Sequence, residues 1–224
     1  MALWAGLAAV AVLPPAAAQE YVAVRGPLGD EDFYRVVACA AEPGADCRKP
    51  FLRWPLPRRA DLTVALASGT ADGVSRDLYE HGLDAAMREI NAQEAGVRVR
   101  RVDGLADITV HVVATPPGQV MRRTGVEDFD GLVLPLALVT VRARGSDIRS
   151  ARIAVSAHAG VEELPSLLLE EIVQGLGLIT DIHGAAYRGS IFAENGNTVT
   201  RLAGQDAMAL RRHYKEPMLL AEGR

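Results

Sequence analysis

"LLLEEIVQGLGLITD", residues 167–181, is the stretch on which the reading of this chain turns. At about 100° per residue, Leu168, Leu169, Ile172, Val173 and Leu176 cover one broad face of a helix. Gly177 stops it. Glu170 and Gln174, four residues apart, stack on the opposite side in line with Ser166, and Glu171 lies a quarter turn round. Taken alone, this is an amphipathic helix with a solvated polar stripe. Its neighbours in the sequence decide whether the stripe is anything more.

Upstream, "DLTVALAS" (61–68) is rich in β-branched and apolar residues and reads as a strand. "SRDLYEHGLDAAMREINAQ" (75–93) carries Leu78, Leu83, Ala86, Met87 and Ile90 at helical spacing, with Gly96 as a stop. "VRVRRV" (97–102) alternates, "ADITVHVV" (106–113) reads as a second strand closed by Pro116-Pro117, and residues 114–131 read as loop. "LVLPLALVTVRAR" and "SARIAVSA" bracket Gly145-Ser146-Asp147 as a hairpin, with "ARIAVSA" expected at or near the sheet edge. The helix over 164–178 follows, and a short last helix is predicted over 205–214. The expected fold is therefore α+β: a single domain with a mixed twisted sheet, two long helices and a short C-terminal one.

Composition bounds the function. A chain of 224 residues, 49% apolar, can bury one core. Its 24 basic and 28 acidic residues are nearly balanced, with no basic run longer than pairs such as Arg100-Arg101, which argues against a nucleic-acid partner. At 5% aromatic residues it offers no stacking platform for bases or sugars. The N-terminal "MALWAGLAAVAVLPPAAAQE" holds an apolar run, a break at Pro14-Pro15 and Ala16-Ala17-Ala18, so residues 1–18 are expected to be a signal peptide cleaved before Gln19. No Lys or Arg precedes that run, which is a departure from the usual pattern. The run is too short to span a bilayer. Residues 19–60 read as an N-terminal extension and 217–224 as a tail. In the oxidising periplasmic or extracellular compartment this implies, Cys39 and Cys47 are expected to form a disulfide across "CAAEPGADC".

The order of elements and the motifs resemble the metzincin-type zinc proteases, whose signature is H-E-x-x-H-x-x-G-x-x-H followed by a methionine-containing turn. Glu171 falls on the catalytic glutamate and Gly177 on the glycine, while "SIFAENGN" (190–197) resembles the turn with Phe192 in place of methionine. Leu202, Asp206, Leu210 and Tyr214 are spaced like the closing helix. The resemblance covers about residues 60–215 and implies a zincin-like domain over 61–216. "EExxQxLGL.xD", "SIF" and "L...D...LR..Y..P" are together similar to the bacterial domain-of-unknown-function family 2927. Its members are mostly exported proteins or lipoproteins with no established activity.

Against the zinc-protease pattern, the three histidine positions hold Glu170, Gln174 and Thr180. A neutral amide oxygen is a poor zinc ligand, so no zinc is expected. An all-oxygen set of Glu170, Gln174 and Asp181 would suit Ca²⁺ or Mg²⁺ better. The resemblance thus implies a degenerate scaffold used for binding an extended peptide or an envelope protein beside its edge strand, or for structure. The alternative is a hydrolase using Glu171 with an atypical metal. Glu170, Glu171 and Gln174 are expected to form one hydrogen-bonded network, with Gln174 bridging a carboxyl to backbone or to Ser190.

Other pairings are weaker. Glu170 and Glu171 as an acid/base pair point 100° apart on a helix, and Ser156 or Ser190 with His158 or His183 lacks a G-x-S-x-G elbow. His111 is expected to be a satisfied, half-buried strand residue, His81 and His213 to lie on helix surfaces, and His158 to sit in a solvated loop. "RWPLPRR" (53–59) reads as an extended lead-in to the first strand.

Overall fold

The computed structural model of the chain describes residues 21–67, 73–196 and 198–215. The expected signal peptide and tail lie outside the described residues. The chain opens with β1 (Tyr21–Ala23), α1 (Asp30–Cys39) and α2 (Leu56–Arg59). Then come β2 (Leu62–Leu66), α3 (Gly73–Ala92), β3 (Val99–Arg101) and β4 (Ile108–Val113). A small ribbon of β5 (Gln119–Val120) and β6 (Val133–Leu134) leads to the hairpin β7 (Ala137–Arg144) and β8 (Asp147–Ser156). The last part holds α4 (Leu164–Gly175), β9 (Asp181–His183), a 3₁₀ turn (Ala185–Tyr187) and α5 (Gly204–Lys215).

The fold is α+β around a mixed five-stranded sheet in the order β3-β2-β4-β8-β7. β3, β2, β4 and β8 run parallel, and β7 pairs antiparallel with β8. Parallel neighbours need a crossover, which α3 supplies between β2 and β3. "ARIAVSA" is therefore next to the edge rather than on it, because its hairpin partner β7 takes the outer place. α5 is also as long as α4, at 12 residues each, so the closing helix is not the short one expected.

α4 is pressed between neighbours on every side. Gly175 packs against Ala151 and Ile108 of the sheet, and α3 crosses α4 at Gly82, where a Cβ would stand 2.7 Å from Leu168 Cδ1. A mid-helix glycine costs about 0.5–1 kcal/mol relative to alanine. Here it lets the two helices approach.

Of the expected extension over 19–60, the described residues 21–60 contribute to the same core. Phe33, Val36 and Val37 of α1 are fully buried at i, i+3, i+4 spacing, and Trp54 is 1% exposed. β1 pairs with β9. The Cys39–Cys47 disulfide is present and closes the loop after α1. Segment 114–131 is also more than loop. It carries β5 and, with Val113, Leu134 and Ala154, a second small core around the fully buried Met121 and Phe129. Asp128, paired with Arg142 and Arg152, pins this lobe to the β7–β8 hairpin, and those two guanidinium groups hold its carboxyl below the usual range. No described helix is long and apolar enough to cross a membrane.

Candidate functional site

The apolar face of α4 is committed to the core as its periodicity demands: Leu168, Leu169, Ile172 and Val173 are at most 1% exposed. The polar stripe is not solvated. Glu170 is 7%, Glu171 1% and Gln174 3% exposed, because β9 and the turn over 190–194 lie against the stripe. That cover is itself well held. Ile182 N–H donates to Phe192 O (2.7 Å) and Glu194 N–H to Ile182 O (3.1 Å), so the turn lies along β9 with the fully buried Phe192 inside.

Of the expected network of Glu170, Glu171, Gln174, Asp181 and Ser190, the Gln174–Asp181 bond is present, while Ser190 bonds elsewhere. Gln174 Nε2 donates to Asp181 Oδ1 at 2.9 Å, tying α4 to the start of β9. Ser190 turns the other way. Its hydroxyl donates to Asp206 Oδ1 (2.6 Å), and Asp206 Oδ2 accepts Ile191 N–H (3.0 Å), tying the turn to the first turn of α5. Leu202, just before α5, and Asp206, Leu210 and Tyr214 on that side of the helix are all buried, as their four-residue spacing leads one to expect. Burial pushes the Asp206 carboxyl up, partly countered by the Ser190 and Ile191 donors.

Glu171 has an oxygen, Oε2, with no hydrogen-bond partner among the described residues. Burial pushes its carboxyl well above the ordinary range, and the negative charge of Asp181 adds to the effect. The Thr180 hydroxyl, also buried, is likewise without a partner among them. No three His, Cys, Asp or Glu side chains among the described residues are grouped to share a metal ion, and Gln174 directs its amide N–H at Asp181.

Glu170 and Glu171 reach a cavity of about 180 Å³ between α4, the lead-in to β7 (Pro135, Leu136) with its first residue Ala137, and the turn at Ala193–Gly196. Glu163 and Glu194 complete its acidic lining. Neither was singled out from the sequence: Glu163 precedes the helix, and Glu194 becomes relevant only when the turn folds back over α4. Burial raises the Glu194 carboxyl too. A second cavity of about 510 Å³, holding His183 and Arg188, adjoins the first across Ala193, Glu194 and Gly196.

The Ser156–His158 side-chain pairing does not form. The Ser156 hydroxyl donates to Thr115 O (2.8 Å) and accepts His158 N–H (3.2 Å), so no imidazole activates it. His158 and His183 are exposed. His111 is half-buried against Phe129, but its Nε2 is unpaired among the described residues, contrary to a satisfied histidine.

His213 departs furthest from expectation. It is fully buried, not on a helix surface. Its Nε2 lies 2.9 Å from Leu52 O and its Nδ1 3.2 Å from Tyr34 Oη, whose oxygen also accepts from Arg53 (2.7 Å). With the proton on Nε2, the chain runs Arg53 to Tyr34 to His213 to the Leu52 carbonyl, while Arg53 Nε has no partner among the described residues. Burial, then the Arg53 charge, lowers its pKa to about 3. Beside it, Trp54 Nε1–H donates to Gly175 O (3.0 Å) and Tyr214 O–H to Leu176 O (2.7 Å). These bonds cap carbonyls that the C-terminus of α4 leaves open.

Gln174→Ala is expected to lower stability by about 1–3 kcal/mol, since it removes a partner from the fully buried Asp181. Glu171→Gln keeps the shape of the neutral carboxyl and should leave stability nearly unchanged. Thermal melts of both variants check this, and a Gln174→Ala protein melting like the parent would mean that the bond contributes nothing.

Fold and site together define an α+β protein with a carboxylate-lined cavity between one buried helix and the edge strand of a mixed sheet. The chain belongs to the family described as "Protein of unknown function (DUF2927)", whose model matches residues 30–219. That span includes α1 as well as the sheet, α4 and α5. No curated protein matches the chain.

Proposed function

We propose that the chain is an exported bacterial envelope protein built on a zincin-like scaffold whose zinc site has been lost, and that it binds extended peptide without cleaving it. The observation that carries this reading is the position of the cavity. It opens where Glu170 and Glu171 of α4 meet the start of β7, the terminal strand of the sheet. A peptide laid along β7 can continue the sheet through main-chain hydrogen bonds and send a side chain toward α4. The zincin-like reading is supported by the order strand, helix, two strands, hairpin, helix, with Gly177 ending that last helix. Loss of the metal is supported by Glu170, Gln174 and Thr180 at the three histidine positions.

One observation favours the hydrolase alternative: Glu171, whose carboxyl burial pushes well above its ordinary range, lines the cavity, as a general acid would. The test is elemental analysis of purified protein together with incubation on casein and unstructured peptides. The expected result is no stoichiometric zinc and no cleavage. About one zinc per chain, with cleavage lost on chelation, would replace the binding reading by the hydrolase. Mass spectrometry of envelope fractions, with Gln19 as the expected first residue, tests export.

A further inference from the structure

We infer that the cavity between α4 and β7 receives the cationic side chain of a lysine or arginine in the bound peptide. This rests on the peptide-binding reading above and names what that site selects. Four of the lining residues are glutamates, Glu163, Glu170, Glu171 and Glu194, and none is basic. An acidic cluster alone is no site, but here two of its oxygens stand out. Oε2 of Glu171, on a residue 1% exposed, and Oε2 of Glu194 are both buried with no partner among the described residues. An unpaired buried acceptor costs stability unless something completes it, and a guanidinium or ammonium group brings several donors to one place.

The remaining surface suits the same guest. Leu136 and Leu167 give the cavity apolar wall, against which the methylene stem of lysine or arginine can lie while its head reaches the carboxylates. A volume of about 180 Å³ is below the ~300–1,000 Å³ of small-molecule sites and matches a single side chain. The exposed Glu163 stands at the rim and the enclosed Glu171 inside, so negative charge extends from solvent to the floor. Burial alone favours the neutral Glu171 carboxyl. A cation seated within ~4–6 Å reverses that preference, because an opposite charge favours the ionised form.

The experiment is selection of a phage-displayed library of random linear peptides on the mature chain, followed by calorimetry with capped synthetic versions of the selected sequences. Selected peptides are expected to share a lysine or arginine at one position. Replacing that residue by glutamine should weaken binding at least about tenfold. Glu171→Gln and, separately, the more accessible Glu194→Gln should each weaken the basic peptide while leaving its glutamine version unchanged, with unaltered melting showing that the variants fold. Peptides selected without a shared basic residue would overturn this inference and leave the peptide groove standing. Failure to select any binding peptide would remove both.

Discussion

Gly177→Ala is expected to abolish folding or to destabilise the chain by at least about 4 kcal/mol. Gly177 sits just past the end of α4 at φ 105°, in the left-handed region that glycine tolerates and alanine resists. The steric argument is stronger still. A Cβ there would stand 2.0 Å from Leu52 O and 2.9 Å from His213 Nε2. Leu52 cannot simply retreat, because the next residue is tied to the β7–β8 hairpin on both sides: Arg53 N–H donates to Ser146 O and Arg53 O accepts Ile148 N–H, each at 2.8 Å. The same carbonyl is the acceptor for His213, so displacing it breaks the buried imidazole's bond as well. Urea unfolding of the variant checks this, with Gly82→Ala as the milder control, since there the obstruction is the flexible end of Leu168. A Gly177→Ala protein unfolding within a few tenths of a kcal/mol of the parent would show that Leu52 O and Gly177 are not in contact as described.

The second large effect is acid unfolding driven by His213. An unfolded chain takes up this proton near the ordinary pKa of 6.5, whereas the folded chain resists until about pH 3. The stability contributed by the neutral, buried imidazole is therefore present above about pH 6.5 and drains away as pH falls toward 3. Over that window the loss is on the order of 4–5 kcal/mol, comparable with the whole stability of a small domain. Glu171 and Asp206 act in the opposite sense. Their folded pKa values are raised, so their contribution is complete below their unfolded values and is lost as pH rises through the folded ones. The His213 term is thus read as the difference between parent and His213→Gln in denaturant titrations at pH 7, 5 and 4. The parent should lose stability relative to the variant on acidification; parallel profiles would place the imidazole in contact with water.

Much of the architecture was legible in the chain. The strand–helix–strand order, the hairpin at Gly145–Asp147 and the helices that became α3, α4 and α5 all follow from periodicity and stop signals, because each is local. α1 was missed although "DEDFYRVVAC" carries Phe33, Val36 and Val37 at helical spacing behind an acidic first turn. Its short length and its distance in sequence from the sheet concealed that it packs on the same core. The ribbon lobe was missed for a similar reason: Met121 and Phe129 are isolated apolar residues until Val113, Leu134 and Ala154 close around them.

The cavity was half legible. Glu170, Glu171 and Gln174 stood out as a stripe, but nothing local could say what would lie opposite it. Gln174 could as well have bonded Ser190, until the chain direction after Gly177 brought Asp181 to it and sent Ser190 to Asp206.

The sequence by itself determined the order of elements from β2 to β4, the hairpin and α4, the apolar face of α4 and, with only two cysteines in the chain, the disulfide pair. The tertiary structure alone decided that the polar stripe is buried rather than solvated, that β7 rather than β8 forms the sheet edge, and that His213 is enclosed. The reason is physical. Periodicity specifies which side chains share a face, whereas burial, desolvation and hydrogen-bond partners depend on what packs against that face from residues distant in the chain.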